Sequence, residues 1–332
     1  MPHAHISAWR RNPESKGSLA PLKGSKYPMI DAHLHIVDFV QETPGPQALL
    51  RAMDHSNVMK AVVFGLPVVK IWESIDRELP GYYLDNDSYC YYYGLTDVLV
   101  HDFVTALPEE SQKRLYPMMC GFNPTDRNCI KQVEWLYNRY PGFWHGIGEL
   151  LLRHDDLTAI TLGESSRANH RALWPVYEFA ADKKLPVLLH QNVSSVTKKE
   201  HPIYLFELEE ALLEFPDTQF ILAHCGISRR ISQPFYYQMV KRLLDQYPNL
   251  SVDISWIIFD EIICPGRVPD PKWVSLIEKQ SSRICLGSDL VTRFERIGIE
   301  LHRYDLFLDH LSPMAIANVC RNTAERLYGN NP

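Results

Sequence analysis

The sequence predicts an α/β protein, a single (β/α)8 TIM barrel with one long insertion after its second strand. Three observations lead there. Eight short apolar runs alternate with segments of helical periodicity. Successive runs recur at roughly the spacing of one βαβ unit, and one gap, between the second and third runs, is oversized. No shift in composition along the 332 residues marks a second domain.

Residues 1–28, rich in Pro, Ser, Gly, Lys and Arg, read as an amino-terminal arm ahead of a barrel domain over 29–332. The first strand spans 29–37. Leu49, Leu50 and Met53 at helical spacing predict a helix over 46–57. The second strand, 61–66, is a continuous apolar run of the kind buried on both faces. The insertion follows over 67–114, holding Tyr82, Tyr83, Tyr89, Tyr91, Tyr92 and Tyr93 and ending in a helix over 95–106. Connections of this length are usually lids or binding loops, whereas tyrosines are more often packing than ligand contacts. Strand three is 115–122. A helix over 126–140 follows, with Asp126 as its cap. Strand four is 146–151 and a helix over 169–183 leads to strand five, 186–190. The helix 203–215 leads to strand six, 220–224. The helix 236–247 leads to strand seven, 250–255. A helix over 273–280 leads to strand eight, 284–289, and closing helices include 314–328.

Composition narrows the function. A formal charge of −6 leaves no basic footprint for nucleic acid. No apolar run is long enough to cross a membrane, and the start lacks the apolar core of a signal peptide. The seven cysteines are scattered, odd in number and without Cys-x-x-Cys spacing, which points to reduced thiols in a cytoplasmic setting. The partner these traits leave is a small-molecule substrate, with room for a homo-oligomer.

The first strand carries His33 and His35 one residue apart, so both project from one face, with Asp31 beside them by alternation. A lone His-x-His is weak evidence, since His3 and His5 repeat the spacing in a polar start. The other strand ends decide the matter. Glu149 lies on strand four, sharing a face with Ile147, and His190, His224 and Asp289 end strands five, six and eight. Active sites of such barrels lie at the carboxyl ends of the strands, so six metal-capable side chains meet at one rim. Other histidines, including His55, His101, His170 and His310, fall in helices or loops. Imidazole and carboxylate ligands without thiolate suit zinc, manganese or iron(II).

A divalent ion lowers the pKa of its water from about 15.7 toward 7, which supplies a nucleophile at neutral pH. Asp289 can take that water's proton and pass it to a leaving group, and His224 can polarise a carbonyl or hold a second ion. Glu149 can bridge two ions or support the imidazoles from outside. For substrate contact, Arg153 and Arg293 follow strands four and eight, where a guanidinium could fork onto an acid group. Asn192 and Trp256 lie just beyond strands five and seven. Asp253 and Ser255 share a face of strand seven, where a barrel-interior hydrogen bond explains them.

Asp31-Ala32-His33-Leu34-His35, Gly146-Ile147-Gly148-Glu149, His190, His224-Cys225-Gly226, Ser288-Asp289 and the ending Asn322-Thr323-Ala324-Glu325-Arg326-Leu327-Tyr328-Gly329 resemble the amidohydrolase superfamily. Within it, the resemblance is to the branch called amidohydrolase 2, and it covers 29–329. It implies that His33, His35, His190 and Asp289 bind a primary metal ion, with His224 catalytic or a second-site ligand. Glu149 resembles the bridging carboxylate of the superfamily's deoxyribonuclease branch. No lysine stands on strand four to form a carbamylated bridge. The branch resemblance implies one catalytic metal, most often zinc, while Glu149 with His224 permits two. It implies a hydrolase acting through metal-activated water on a lactone, amide or ester that carries an acid group. The alternative is a non-oxidative decarboxylase of an aromatic or muconate-type acid, because the branch holds lactonases and decarboxylases alike.

Overall fold

A computed structural model of the chain describes residues 24–73, 75, 78–154, 156–230 and 234–329. Most of the expected arm, 1–23 with His3 and His5, lies outside the described residues. Residues 24–28 are fastened to the closing helices. Ser25 Oγ and the Lys26 amide both donate to Asp305, the amide at 3.0 Å, and Tyr27 Oη donates to Asp309 at 2.6 Å.

The strands are β1 (Met29–His35), β2 (Val58–Phe64), β3 (Val68–Lys70), β4 (Cys90–Tyr92), β5 (Leu115–Met119), β6 (Gly146–Leu152), β7 (Val187–Gln191), β8 (Phe220–Leu222), β9 (Leu250–Asp253), β10 (Ile284–Cys285) and β11 (Leu290–Val291). All but β3 and β4 form one parallel sheet in the order β10-β9-β8-β7-β6-β5-β2-β1-β11. β10 opens the expected eighth strand, 284–289, β11 follows just past its end, and the chain between them carries the pairing from β9 across to β1. The Ile254 amide donates to Cys285 O at 3.0 Å, Ala32 N to Leu286 O at 3.1 Å, and Asp289 N to His33 O at 2.8 Å. The sheet therefore curls until its last strand meets its first, as an α/β barrel requires. Gly287 permits that approach: a Cβ there would lie 2.8 Å from the His33 amide nitrogen.

Two apolar layers hold the fold. The inner layer fills the barrel with Ile30, Val62, Phe64, Met118, Leu188, Ile221 and Cys285, and includes Tyr116 and Tyr328. The outer layer packs Leu34, Val63, Leu189, Leu222 and Val252 against helix residues such as Leu49, Met53, Val133, Leu208 and Val240. A barrel interior packed in this way is a core and not a pore, so polar groups gather at the rim. All seven cysteines are buried and unpaired, and no helix of the described residues is long and apolar enough to cross a membrane.

The connection from β2 to β5 folds on itself. β3 and β4 pair antiparallel, and helices follow at Thr96–Thr105 and Glu109–Gln112. Lys70 organises it: the buried ammonium donates to the carbonyls of Tyr83 (2.8 Å), Asn86 (2.9 Å) and Ser88 (2.5 Å). A buried cation costs little when every donor finds an acceptor. The stretch so held packs on loops beyond the strands. Tyr82 and Tyr83 both meet Phe39, Tyr83 Oη donates to Asp156 at 3.0 Å, and Tyr82 Oη accepts from Arg229 at 2.5 Å. Tyr89 and Tyr91 are exposed.

Three local expectations are corrected. Asp126 does not cap the following helix, which spans Cys129–Arg139; its carboxylate instead accepts from the Asn128 amide at 2.8 Å, closing the turn before it. Asp31 does not join the two histidines, because β1 slips register against β2 between Asp31 and Leu34. Its carboxylate is engaged by Ser288 Oγ (2.6 Å), the Ser288 amide (2.8 Å) and the His33 amide (3.2 Å). Ile147 and Glu149 do not share a face. Between Ile147 and Leu150 β6 advances three residues while β7 advances two, so alternation breaks at Gly148. Ile147 packs in the outer layer and Glu149 turns into the barrel mouth. Only glycine fits at 148, where φ is +125° and a Cβ would lie 2.3 Å from Leu188 O.

Candidate metal centre

The register slip in β1 sets His33 and His35 facing the barrel axis, and an acceptor behind each ring fixes which nitrogen faces inward. His33 Nδ1 lies 3.0 Å from Asp253 Oδ2, and His35 Nδ1 lies 2.9 Å from Gly65 O. A carbonyl and an ionised carboxylate can only accept, so both rings carry a proton on Nδ1 and turn Nε2 toward the mouth as the nitrogen able to bind an ion. His224 sits just after β8 in a left-handed turn with φ of +51°. Its Nδ1 lies 2.9 Å from Ser255 Oγ, whose own proton goes to Asp253 Oδ1 at 2.6 Å. The serine therefore accepts from His224 Nδ1, which leaves that Nε2 as its inward-facing nitrogen as well. His190 is turned the other way, with Nδ1 3.0 Å from Glu149 Oε1.

Two carboxylates face these nitrogens. His33 Nε2 is 3.3 Å from Asp289 Oδ1 and 3.6 Å from Glu149 Oε1. His35 Nε2 is 3.3 Å from Glu149 Oε2 and 3.6 Å from Asp289 Oδ1. His224 Nε2 is 3.4 Å from Glu149 and 3.7 Å from Asp289. Two ligands about 2.0–2.1 Å from one tetrahedral ion stand about 3.4 Å apart, so these separations match a coordination edge better than a hydrogen bond. Groups able to hold an ion are His33, His35 and Glu149; His33, His224 and Asp289; and Glu149, His190 and His224. His190 stands in the group with Glu149 and His224, which shares Glu149 with the group of His33 and His35. The buried His33 Nε2 has no hydrogen-bond partner among the described residues, as expected of a nitrogen that awaits a ligand. The donor set fits a divalent ion.

The electrostatics agree. Burial opposes charge on every group here, and the opposite charges outweigh it. Asp289, Glu149 and Asp253 hold the His33 pKa well above its usual value, and His224 is raised to about 9 chiefly by Asp289 and Asp253. His33, His190 and His224 hold the Glu149 carboxyl well below the usual range, and His33 and His224 lower Asp289. Without an ion, protons on the imidazoles supply the positive charge that the two carboxylates need.

The substrate-contact candidates divide. Trp256 reaches the site, its ring centroid 5.1 Å from that of His224 and 6.2 Å from that of His190. Asn192 is buried directly after β7. Arg153 is otherwise engaged: its guanidinium forks onto Glu207 at 3.0 and 2.5 Å and lies over Tyr204. Arg293 is exposed on the loop after β11. Three contributors escaped sequence reasoning. Asp253 was assigned a hydrogen bond but orients two imidazoles at once. His154 stacks on His190 at 4.5 Å. Arg229 stands five residues beyond His224, over the Trp256 ring at 5.4 Å; the rule that selected Arg153 and Arg293, a cation just past a strand end, would have found it.

Solved structures share this fold over most of both chains. A TIM-barrel protein of Bordetella bronchiseptica superposes with a TM-score of 0.58 at 14% identity, over 91% of this chain and 98% of its own. A zinc-bound amidohydrolase of Burkholderia multivorans gives 0.55 at 12% identity, over 91% and 99%. A probable 2-pyrone-4,6-dicarboxylic acid hydrolase of Acinetobacter baumannii, with citric acid bound, gives 0.53 at 14% identity, over 91% and 100%. At these identities the likeness establishes the fold. No protein of curated function matches the sequence significantly. The sequence pattern of the amidohydrolases, however, matches residues 159–330, more than half of the chain and the part that carries His190, His224 and Asp289. This chain belongs to the amidohydrolase family.

Proposed function

We propose that the chain is a metal-dependent hydrolase of a small organic substrate, a lactone, amide or ester bearing an acid group. The observation that carries this reading is the set of imidazole nitrogens standing 3.3–3.7 Å from two carboxylates at the barrel mouth. His33, His35, Glu149 and Asp289 would hold one divalent ion, zinc ahead of manganese or iron(II). When bound, it supplies Lewis acidity and an acidified water.

The chain's own residues do the rest. Asp289 is the more accessible carboxylate, its side chain 12% exposed against 3% for Glu149, and its lowered pKa keeps it ionised. It takes the proton of the attacking water and returns it to the leaving group. His224 Nε2 faces both carboxylates from a third direction and is placed to polarise the substrate carbonyl. Asp253 holds His33 directly, and His224 through Ser255, in the required tautomers. Trp256 forms one wall, and the insertion 67–114 covers the mouth and selects substrate. The solved neighbour whose name is a pyrone-dicarboxylate hydrolase supports an acid-bearing substrate.

A panel of carboxylated lactones, esters and amides, assayed with and without chelator, tests the reading. Chelator-sensitive acid release supports it. Carbon dioxide release from aromatic or muconate-type acids would assign decarboxylation, and tight metal retention without turnover of either class would overturn both.

A further inference from the structure

Arg229 is half-buried, and among the described residues it has no carboxylate within ion-pair distance. Other arginines of the loops and closing helices are paired: Arg153 with Glu207, Arg230 with Asp156 at 2.7 Å, Arg296 with Glu300 at 2.8 Å and Arg303 with Asp260 at 2.6 Å. Among the described residues its hydrogen bond goes to Tyr82 Oη at 2.5 Å. Because that oxygen accepts, the tyrosine's own proton is left to donate. Among the described residues, a guanidinium with unused N–H groups and a hydroxyl with an unused O–H thus stand side by side, which is the donor pair that a carboxylate needs.

Position supports this. The guanidinium carbon lies 5.8 Å from the Tyr82 and Tyr83 ring centroids and 5.4 Å from that of Trp256. Trp256 leads to His224, and Tyr83 leads to His154 at 5.8 Å, which stacks on His190. Two chains of ring contacts therefore connect Arg229 to the metal cluster. Three aromatic faces keep water from the cation, which strengthens any charge it meets, and they suit a flat ligand. We propose that Arg229 and Tyr82 form the seat for the substrate's carboxylate. Naming this ligand a substrate rests on the hydrolase reading above; the binding itself does not.

Benzoate is the probe, and benzamide its uncharged control, titrated calorimetrically into the protein as purified. Benzoate should bind the wild type at least about tenfold more tightly than benzamide. Arg229→Gln should weaken benzoate by about tenfold to a hundredfold and leave benzamide unchanged. Arg229→Lys should recover part of the loss, since an ammonium keeps the charge but not the fork. Equal benzoate affinity in wild type and Arg229→Gln would place the anion on the metal alone and overturn the proposal. If Arg229→Gln is misfolded, Tyr82→Phe decides, because it keeps the ring and removes the hydroxyl that would donate to the carboxylate and that accepts from Arg229; unchanged benzoate affinity there refutes the seat. An intact Arg229-dependent benzoate site in a protein that turns over no substrate of the hydrolase panel would refute the reaction and leave the seat standing.

Discussion

Asp253→Asn isolates the outer support of the metal cluster. One carboxylate oxygen of Asp253 receives the His33 Nδ1 proton at 3.0 Å, and the other accepts from the His224 amide (3.0 Å), the Ser255 amide (3.0 Å) and Ser255 Oγ (2.6 Å). An asparagine has one acceptor, and three donors hold it on the Oδ1 side. Its NH2 group must then face His33 Nδ1. Two donors cannot share a proton there, so His33 moves its proton to Nε2 and loses the lone pair it directs at Asp289 and Glu149. Partners of this kind contribute about 10–100-fold to metal affinity, or about 1.4–2.7 kcal/mol. Competition for zinc against a fluorescent chelator at neutral pH measures the loss, with circular dichroism to confirm the fold. Ser255→Ala should cost less, because it leaves the His33 contact in place. A folded Asp253→Asn variant that binds zinc within about twofold of wild type would refute the claim that the tautomer is held from behind.

The remaining predictions concern pH, the proton carrier and the insertion. In ion-free protein the His33, His35 and His224 pKa values are raised, that of His224 from 6.5 to about 9. A raised folded pKa stabilises the protein fully below about 6.5 and loses that contribution as pH climbs through about 9. The melting midpoint of chelator-treated protein should therefore fall across that window, and its apparent zinc affinity should rise as protons leave; a flat profile in both would contradict the charge assignment. Asp289→Asn should lower turnover by about a hundredfold or more, and steady-state kinetics on an accepted substrate at saturating metal checks it. Lys70→Met strips three carbonyls of their donor and should destabilise the fold by about 2–4 kcal/mol, read by urea denaturation.

The sequence carried much of this molecule in plain view, for reasons that particular residues make clear. Continuous apolar runs such as Val62–Phe64 and Leu188–Leu189 are what strands covered on both faces require, so the strand positions followed. The strand-end rule then gathered all six ligand candidates. Alternation misled where strands slip register: the breaks after Asp31 in β1 and after Ile147 in β6 reverse facing, and nothing in residue type announces them apart from Gly148. Side-chain pairing was also hidden. Arg153 and Arg229 look alike in a list of cations beyond strands, yet Glu207, fifty-four positions away in sequence, forms an ion pair with the first, and among the described residues no carboxylate lies within ion-pair distance of the second. Long-range partners of that kind are fixed by packing. Trp256, in contrast, was found because the loop after a strand can lead only to the mouth.

The central claim is that the strand-end cluster holds a divalent ion. Metal content per chain, measured by plasma mass spectrometry after passage through a weak chelating resin, addresses it directly in wild type and in the His33→Ala/His35→Ala double variant. The prediction is one tightly held ion per chain in the wild type and none in the double variant, whose circular dichroism stays unchanged. A wild type that retains no ion after metal-replete expression, or a double variant that keeps a full complement, would contradict the account.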